Sequence, residues 1–327
     1  MILVPDFYKR FKCVADKCAD SCCVGWEIDV DCHTLAKYRE MGNDKILSHI
    51  ATDAEIPYIR LSADEKCPFL DERGLCRIIS KYGDDYIPEI CKKHPRYYNE
   101  ILDFTECGLG LSCPTAAEII LSLSEKPKIE SIPTFSGGNE KNEAKIPTNE
   151  EEAVEYLCKV RDMLFDGIFD KERDAVGVVS WLLRCQTAVS DYLFDGAPIG
   201  KIEEGAADEL YPTIDLIPKA FSRLELLSED LRTLVLRATR EHVLSLLAKH
   251  TDVSLALLYY FLHRYMLSGA SDFDLDDRLT LCVMLLFICL VFIGERGVVD
   301  GAVLFSKNIE YSTENIEILL GIIAEGT

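Results

Sequence analysis

Positive charge is scarce in this chain. Among its 327 residues, Lys and Arg total 35 against 56 Asp and Glu, a net charge of −21. Affinity for nucleic acid or anionic lipid comes from clustered cations, so partners of that kind are excluded. A basic protein segment is the more natural partner, although acidity also serves plain solubility. Membrane-length apolar runs are missing too. The longest, 279–294, is too short to span a bilayer and is closed by Asp277, Arg278, Glu295 and Arg296. It reads as a buried core helix, and no membrane insertion is expected. The opening MILVPDFYKR lacks the basic start and apolar run of a secretory leader, so the expected compartment is cytoplasmic. Thiols stay reduced there, and abundant cysteine then points to metal or redox chemistry rather than disulfides. There is no repeat of fixed period and no Rossmann-type glycine fingerprint. Gly108-Leu109-Gly110 is too short for one and does not read as a strand end. Most telling, no Cys-x-x-Cys pair occurs anywhere.

Cysteine itself is plentiful and unevenly spread. Ten of the 14 cysteines fall between Cys13 and Cys113, and only Cys158, Cys185, Cys282 and Cys289 lie beyond. The segments are FKCVADKCADSCCVGW, KCPFLDERGLCRI, PEICKKHPRYY and ECGLGLSCPTAAE. Successive gaps of four, three, zero, eight, fourteen and twenty-one residues separate Cys13, Cys18, Cys22, Cys23 and then Cys67, Cys76, Cys91, Cys113. Structural zinc sites bring pairs of ligands on single tight turns. Scattered thiolates suit an iron–sulfur cluster, whose irons accept ligands from several directions. A radical-SAM spacing fails because Gly25 stands where its third cysteine belongs. Cys282 and Cys289 are seven apart on an apolar helix and read as core residues.

The fold class expected is mainly α: a cysteine-rich metal-binding N-terminal module of short elements, residues 1–124, packed on a C-terminal helical bundle, residues 151–327. Residues 125–150, with three prolines and Gly137-Gly138, read as a linker or extended strap. In the N-terminal part, 35–50 has helical character with Tyr38 and Met41 inward. Pro114 opens a short helix over 115–122, and turns fall at Glu72-Arg73-Gly74 and Tyr82-Gly83-Asp84. In the bundle, Val154, Leu157, Val160, Arg161 and Leu164 form a buried stripe at helical spacing. The pattern repeats over 174–194, 228–247, 254–267, 275–293 and 313–324, giving a bundle of about six helices. Ser228 with Glu229 and Asp230 suits a helix start.

Taken together, CVADKCADSCCVGWEIDVD, CPFLDERGLCRI, YGDDYIPEICKKHPRYY and LGLSCPTAAEIIL resemble the flagellin lysine-N-methylase (FliB-like) family. That family is related to proteins carrying a CxxCxxCC zinc- or iron-chelating domain. The resemblance covers residues 1–124, with a weaker likeness around LYYFLHRYM. It implies a protein-lysine N-methyltransferase containing an iron–sulfur cluster, with S-adenosylmethionine as methyl donor and flagellin or a similar protein as substrate. By position it implies metal ligation by Cys13, Cys18, Cys22, Cys23, Cys67, Cys76, Cys91 and Cys113, with Cys32 and Cys107 as extras. Eight thiolates exceed the four that one [4Fe–4S] cluster needs, so a second metal or another role for some thiols stays open. Zinc is the alternative metal.

Three residues are weak catalytic candidates. Trp26 could stack on an adenine or a lysine stem, though packing is the commoner role. Asp29 could orient an amine or cap the following helix. Arg96, in the basic knot with Lys92, Lys93 and His94, could hold a carboxylate or offset thiolate charge. His263 and Arg264 read as interhelical hydrogen-bonding groups. The rival readings are a non-enzymatic iron–sulfur or zinc-binding interaction or sensor protein, and an iron–sulfur redox protein.

Overall fold

The computed structural model describes residues 1–326 apart from 19, 26–27, 103, 133–148, 196–200, 237 and 271–274. Trp26 and most of the 125–150 stretch lie outside the described residues. The chain is mainly helical, with two small sheets in its first 132 residues.

The N-terminal part holds short helices: α1 (Cys32–Glu40), α2 (Asp44–Leu47), α3 (Arg77–Tyr82), α4 (Glu89–Lys93) and α5 (Pro114–Leu121). Asp31, not Asp29, caps α1, because Asp29 is committed to a strand. The Asp31 carboxylate accepts from Thr34 N at 2.9 Å, Thr34 Oγ1 at 2.8 Å and Glu89 N at 3.0 Å, tying the starts of α1 and α4 together. Partial burial pushes its pKa up, but these three donors outweigh that and hold it at about 2. Tyr38 is fully buried on α1, as its inward position predicts, whereas Met41 is half-buried. The predicted turns stand at Gly74 and Gly83, both at positive φ (75° and 94°) where glycine is favoured. Pro114 occupies the first turn of α5.

The first strand pairs over long sequence distances. β1 (Ile2–Pro5) runs parallel to β6 (Phe104–Leu109) and antiparallel to β7 (Ile129–Ile132). β5 (Arg96–Ile101) forms a hairpin with β6, so the order is β5-β6-β1-β7. A second sheet has the order β2-β4-β3, from Ile28–Asp29, Tyr58–Ile59 and Ile50–Ala51. β7 therefore turns the first part of the expected strap into a sheet edge. Gly108 and Leu109 do end a strand, contrary to the sequence reading. The pairing of β6 with β1 spans about a hundred residues, where local pattern carries no signal.

From residue 149 to 324 the described chain is helical: α6 (Asn149–Ile168), α7 (Ala175–Asp195), α8 (Tyr211–Phe221), α9 (Glu229–Leu236), α10 (Arg240–Lys249), α11 (Thr251–Tyr265), α12 (Leu275–Arg296), α13 (Val298–Asn308) and α14 (Thr313–Ala324). This exceeds the expected number of helices for local reasons. The 228–247 segment divides because Thr239 adopts an extended conformation and caps α10 by accepting from His242 N at 3.2 Å. Gly297, at φ 90°, ends α12 and lets α13 fold back. Among the described residues, one helix, 276–296 within α12, is long and apolar enough to cross a membrane, but 89% of its apolar window is buried in the protein. It is the central core helix, with Cys282 and Cys289 fully buried on it.

Two apolar clusters result. The smaller gathers Ile28, Val30, Tyr38, Ile59, Phe69 and Ile87 among others, with Cys67 inside it and Cys23, Cys76 and Cys91 packed against it. The larger fills the helical part and also takes in Phe7, Leu109, Leu111 and Ile120 from the N-terminal segments. Polar pairs stitch the first sheet to the helices. Arg161, in the expected apolar stripe, is buried and makes a two-pronged ion pair with Glu106 of β6 at 2.7 and 2.5 Å. Tyr97 of β5 lies 2.8 Å from His263 Nδ1, so this histidine bonds a strand rather than a helix. Arg264 reaches Glu310, just past α13, at 3.1 Å.

Candidate metal centre

Each cysteine segment is held by a local device. An antiparallel bridge joins Val24 to Lys66, and Cys67 N donates to Cys23 O at 2.8 Å, placing these two cysteines side by side. The loop from Cys67 to Cys76 closes on a second bridge, Leu70 to Cys76. Asp71 tightens it by accepting from the backbone N of Arg73 and Leu75, each at 2.9 Å. Cys76 and Cys113 occupy the N-cap positions of α3 and α5. Cys91 sits within α4, which Asp31 anchors. Cys18 Sγ donates to Asp20 O at 3.0 Å, and Asp20 pairs with Lys307 of α13 at 2.8 Å.

These devices face one cavity of about 1320 Å³. Cys13, Cys18, Cys22, Cys23, Cys67, Cys76, Cys91 and Cys113 all line it, whereas Cys32 and Cys107 do not. The thiols ring the space rather than meet at a point: among the described residues, no three His, Cys, Asp or Glu side chains converge as on a single bound ion. A ring of soft donors around an open volume fits a polynuclear cluster better than one tetrahedral ion, whose ligands all lie about 2.3 Å from one centre.

Electrostatics favour neutral thiols at Cys22, Cys67, Cys91 and Cys113. Burial, reinforced by the neighbouring thiols, pushes Cys67 to about 11 and Cys91 to about 12. Cys22 is raised by its thiol hydrogen bond with Cys23, then by burial, while Lys307 pulls it down. Cys113 is raised by burial, against backbone N–H donors at Thr115 and Ala116. Metal binding must therefore displace protons.

Asp29 and Arg96 also line the cavity. Arg96 lays its guanidinium over the rings of Tyr8 and Phe11, at 5.4 and 5.2 Å, which fixes a cation at the wall. Of the basic knot, Lys92 is engaged by Glu89 at 3.1 Å and Lys93 lies over Tyr98 at 5.4 Å.

No family model and no solved structure matches the chain. Among curated proteins, the flagellar biosynthetic protein FliU of Salmonella muenchen is 32% identical over 141 residues, covering 40% of this chain and 83% of FliU. The chain belongs to the flagellin lysine-N-methylase family. A lysine-N-methylase of Salmonella typhimurium is 33% identical over 141 residues, 38% of this chain. One of Salmonella choleraesuis is 32% identical over the same length. In both cases the match spans 35% of the relative's own length.

This member of the lysine-N-methylase family has wall residues that the sequence did not single out. Tyr311, following α13, faces the cavity from the helical side. Its hydroxyl accepts from Ser112 Oγ at 2.9 Å and lies 3.1 Å from His94 Nδ1. Burial lowers His94 to about 4, helped by the charges of Lys307 and Arg96, so its imidazole is neutral near pH 7. Only adjacency to Glu310, which anchors Arg264, hints at Tyr311 in the sequence, and that hint needs the fold to be seen.

Proposed function

We propose that this chain is a protein-lysine N-methyltransferase acting on flagellin or a similar lysine-bearing protein, with an iron–sulfur cluster held by its cysteine-lined cavity. The observation that carries the reading is the joint presence of all eight family-positioned cysteines on one cavity. The relatives' name, lysine-N-methylase, supplies the reaction. Since the match spans about a third of those relatives, activity and substrate are proposed for this chain rather than transferred.

Transfer from S-adenosylmethionine forms a nitrogen–carbon bond as the sulfonium–carbon bond breaks. The amine must present its lone pair and afterwards lose a proton. A free lysine has a pKa of about 10.4, so its site must desolvate it or offer a base. Asp29, on the cavity wall, is the proposed carboxylate that orients the amine and accepts the proton. Arg96, fixed on Tyr8 and Phe11, is the proposed anchor for the donor's carboxylate. A cluster bound by the thiols would supply a metal-rich, redox-capable wall and hold the loops together.

The test is incubation of the anaerobically purified protein with S-adenosylmethionine and unfolded flagellin, read by mass spectrometry. Added methyl mass on lysine is expected. A loaded cluster with no added mass would leave a metal-binding interaction protein as the better reading.

A further inference from the structure

We propose that the basic rim of the cavity, at Lys12 and Lys93, docks an acidic stretch of the protein substrate, so that the lysine chosen for methylation is one with Asp or Glu a few residues away. The substrate class rests on the functional reading above. The docking surface rests on how the fold gathers charge.

Cations are scarce in this chain, yet seven of its 35 fall in two short stretches, KRFKCVADK (9–17) and KKHPR (92–96), where Asp16 is the one acid. The stretches lie far apart in the chain, and the fold joins them. Arg96 lays its guanidinium over Phe11 and the preceding Tyr8, at 5.2 and 5.4 Å. Lys93 stands over Tyr98 at 5.4 Å, and the Tyr98 hydroxyl hydrogen-bonds with that of Tyr8. Two neighbouring rings thus hold two neighbouring cations. Lys12, Lys93 and Arg96 all line the cavity, and both lysines are exposed, which puts them at its mouth.

These cations have no acid of their own. In the helical part, Arg173, Arg184, Arg223, Arg232 and Arg240 each hold a carboxylate. At the rim, Lys9 is engaged by Glu130 and Lys92 by Glu89, while Lys307 takes Asp20. Among the described residues, no ion pair engages Lys12, Lys93 or Arg96. The sign of the field therefore reverses locally on a protein of net charge −21. An extended polyanion such as a nucleic acid or an anionic membrane would meet the acidic surface around so small a patch. A short acidic segment would not. The exposed side chains of Val14 and Tyr98 add apolar surface for such a segment to lie on. Asp29, inside the same cavity, is the group proposed to receive the lysine amine. A segment with a lysine beside an acid satisfies both ends of this polarised site, whereas a purely basic one is repelled at the rim.

Binding of three short fluorescent peptides to the full chain, read by anisotropy without methyl donor, tests this. The peptides share one central lysine and differ only in its flanks: Asp and Glu, their amides Asn and Gln, or Arg. The acidic-flank peptide should bind about tenfold more tightly than the amide peptide, with the difference shrinking as salt rises. Lys12→Glu/Lys93→Glu should abolish that preference, and Lys12→Arg/Lys93→Arg should keep it. Lys171→Glu/Lys249→Glu, the same charge change at exposed sites of the helical part, should leave it intact. No preference in the wild type, or equal loss in both Glu pairs, would overturn the inference. Duplex DNA or an anionic vesicle competing as well as the acidic peptide would overturn it too, by marking a general polyanion surface. Adding S-adenosylmethionine separates the two readings. Flank preference in binding with no methyl mass on lysine leaves the docking surface standing and overturns the methyltransferase. Methyl mass on all three peptides alike, without preference in binding, does the reverse.

Discussion

The two apolar clusters of this protein are stabilised in different ways. The helical one is broad and dry, and its thiols at Cys185, Cys282 and Cys289 are wholly buried packing groups. The smaller one rests on short helices and two-residue strands, and its thiols face a cavity. A small core gains little from burial, which is where cross-links of another kind contribute most. The same residue type packs in one region and lines a cavity in the other, where ligation is the proposed role, and the deciding variable is whether the sulfur points into core or into open space.

Metal removal should separate the two most sharply. Treating the loaded protein with a chelator should abolish amide-exchange protection through residues 28–93 while α11 and α12 stay protected, because ligand binding would be part of the folding energy of the small region. Uniform loss of protection, or none, would erase the distinction. Next in size is the buried pair that ties β6 to α6. Arg161→Ala leaves Glu106 buried without its partner and should cost about 3–5 kcal/mol in denaturant unfolding, with metal content unchanged.

The two regions should differ in alkali rather than in acid. His263 is buried and held neutral, at about 4, mainly by desolvation. Its folded value lies below the unfolded one, so its contribution is present above about 6.5 and lost as pH falls through 4. In the metal-free protein, Cys67 and Cys91 have folded values raised to about 11 and about 12. Their contribution is present below about 8.5 and lost as pH rises through those values. Exchange measured against pH should show the cysteine region loosening first in alkali, whereas acid acts on both regions, through His263 in the helical part and His94 at the cavity wall. The smallest effect expected is Cys289→Ser, which places a hydroxyl in an apolar core at about 1–3 kcal/mol and leaves metal binding untouched. Loss of metal in this variant would show that the two sets of thiols are not independent.

Much of this contrast is legible in the sequence because it rests on local signals. Spacing on an apolar helix places Cys282 and Cys289 inside. Pro114 marks the start of α5, and Gly74 and Gly83 mark turns. The absence of Cys-x-x-Cys pairs agrees with thiols that ring a space instead of meeting on one turn. What escapes is long-range. One partner of β6 lies about a hundred residues away in β1, and that side of its pairing carries no local signal. Arg161 looks like a break in an apolar stripe until Glu106 is found beside it. Asp29 and Asp31 are equivalent as candidate caps by composition, and only strand pairing removes Asp29 from that role to the cavity wall.

The most direct measurement is metal content of two matched variants purified without oxygen. Cys67→Ser/Cys91→Ser changes thiols facing the cavity, and Cys282→Ala/Cys289→Ala changes thiols in the helical core. Iron and sulfide should fall in the first and match wild type in the second. Equal metal in both, or its loss only from the core variant, would contradict the account.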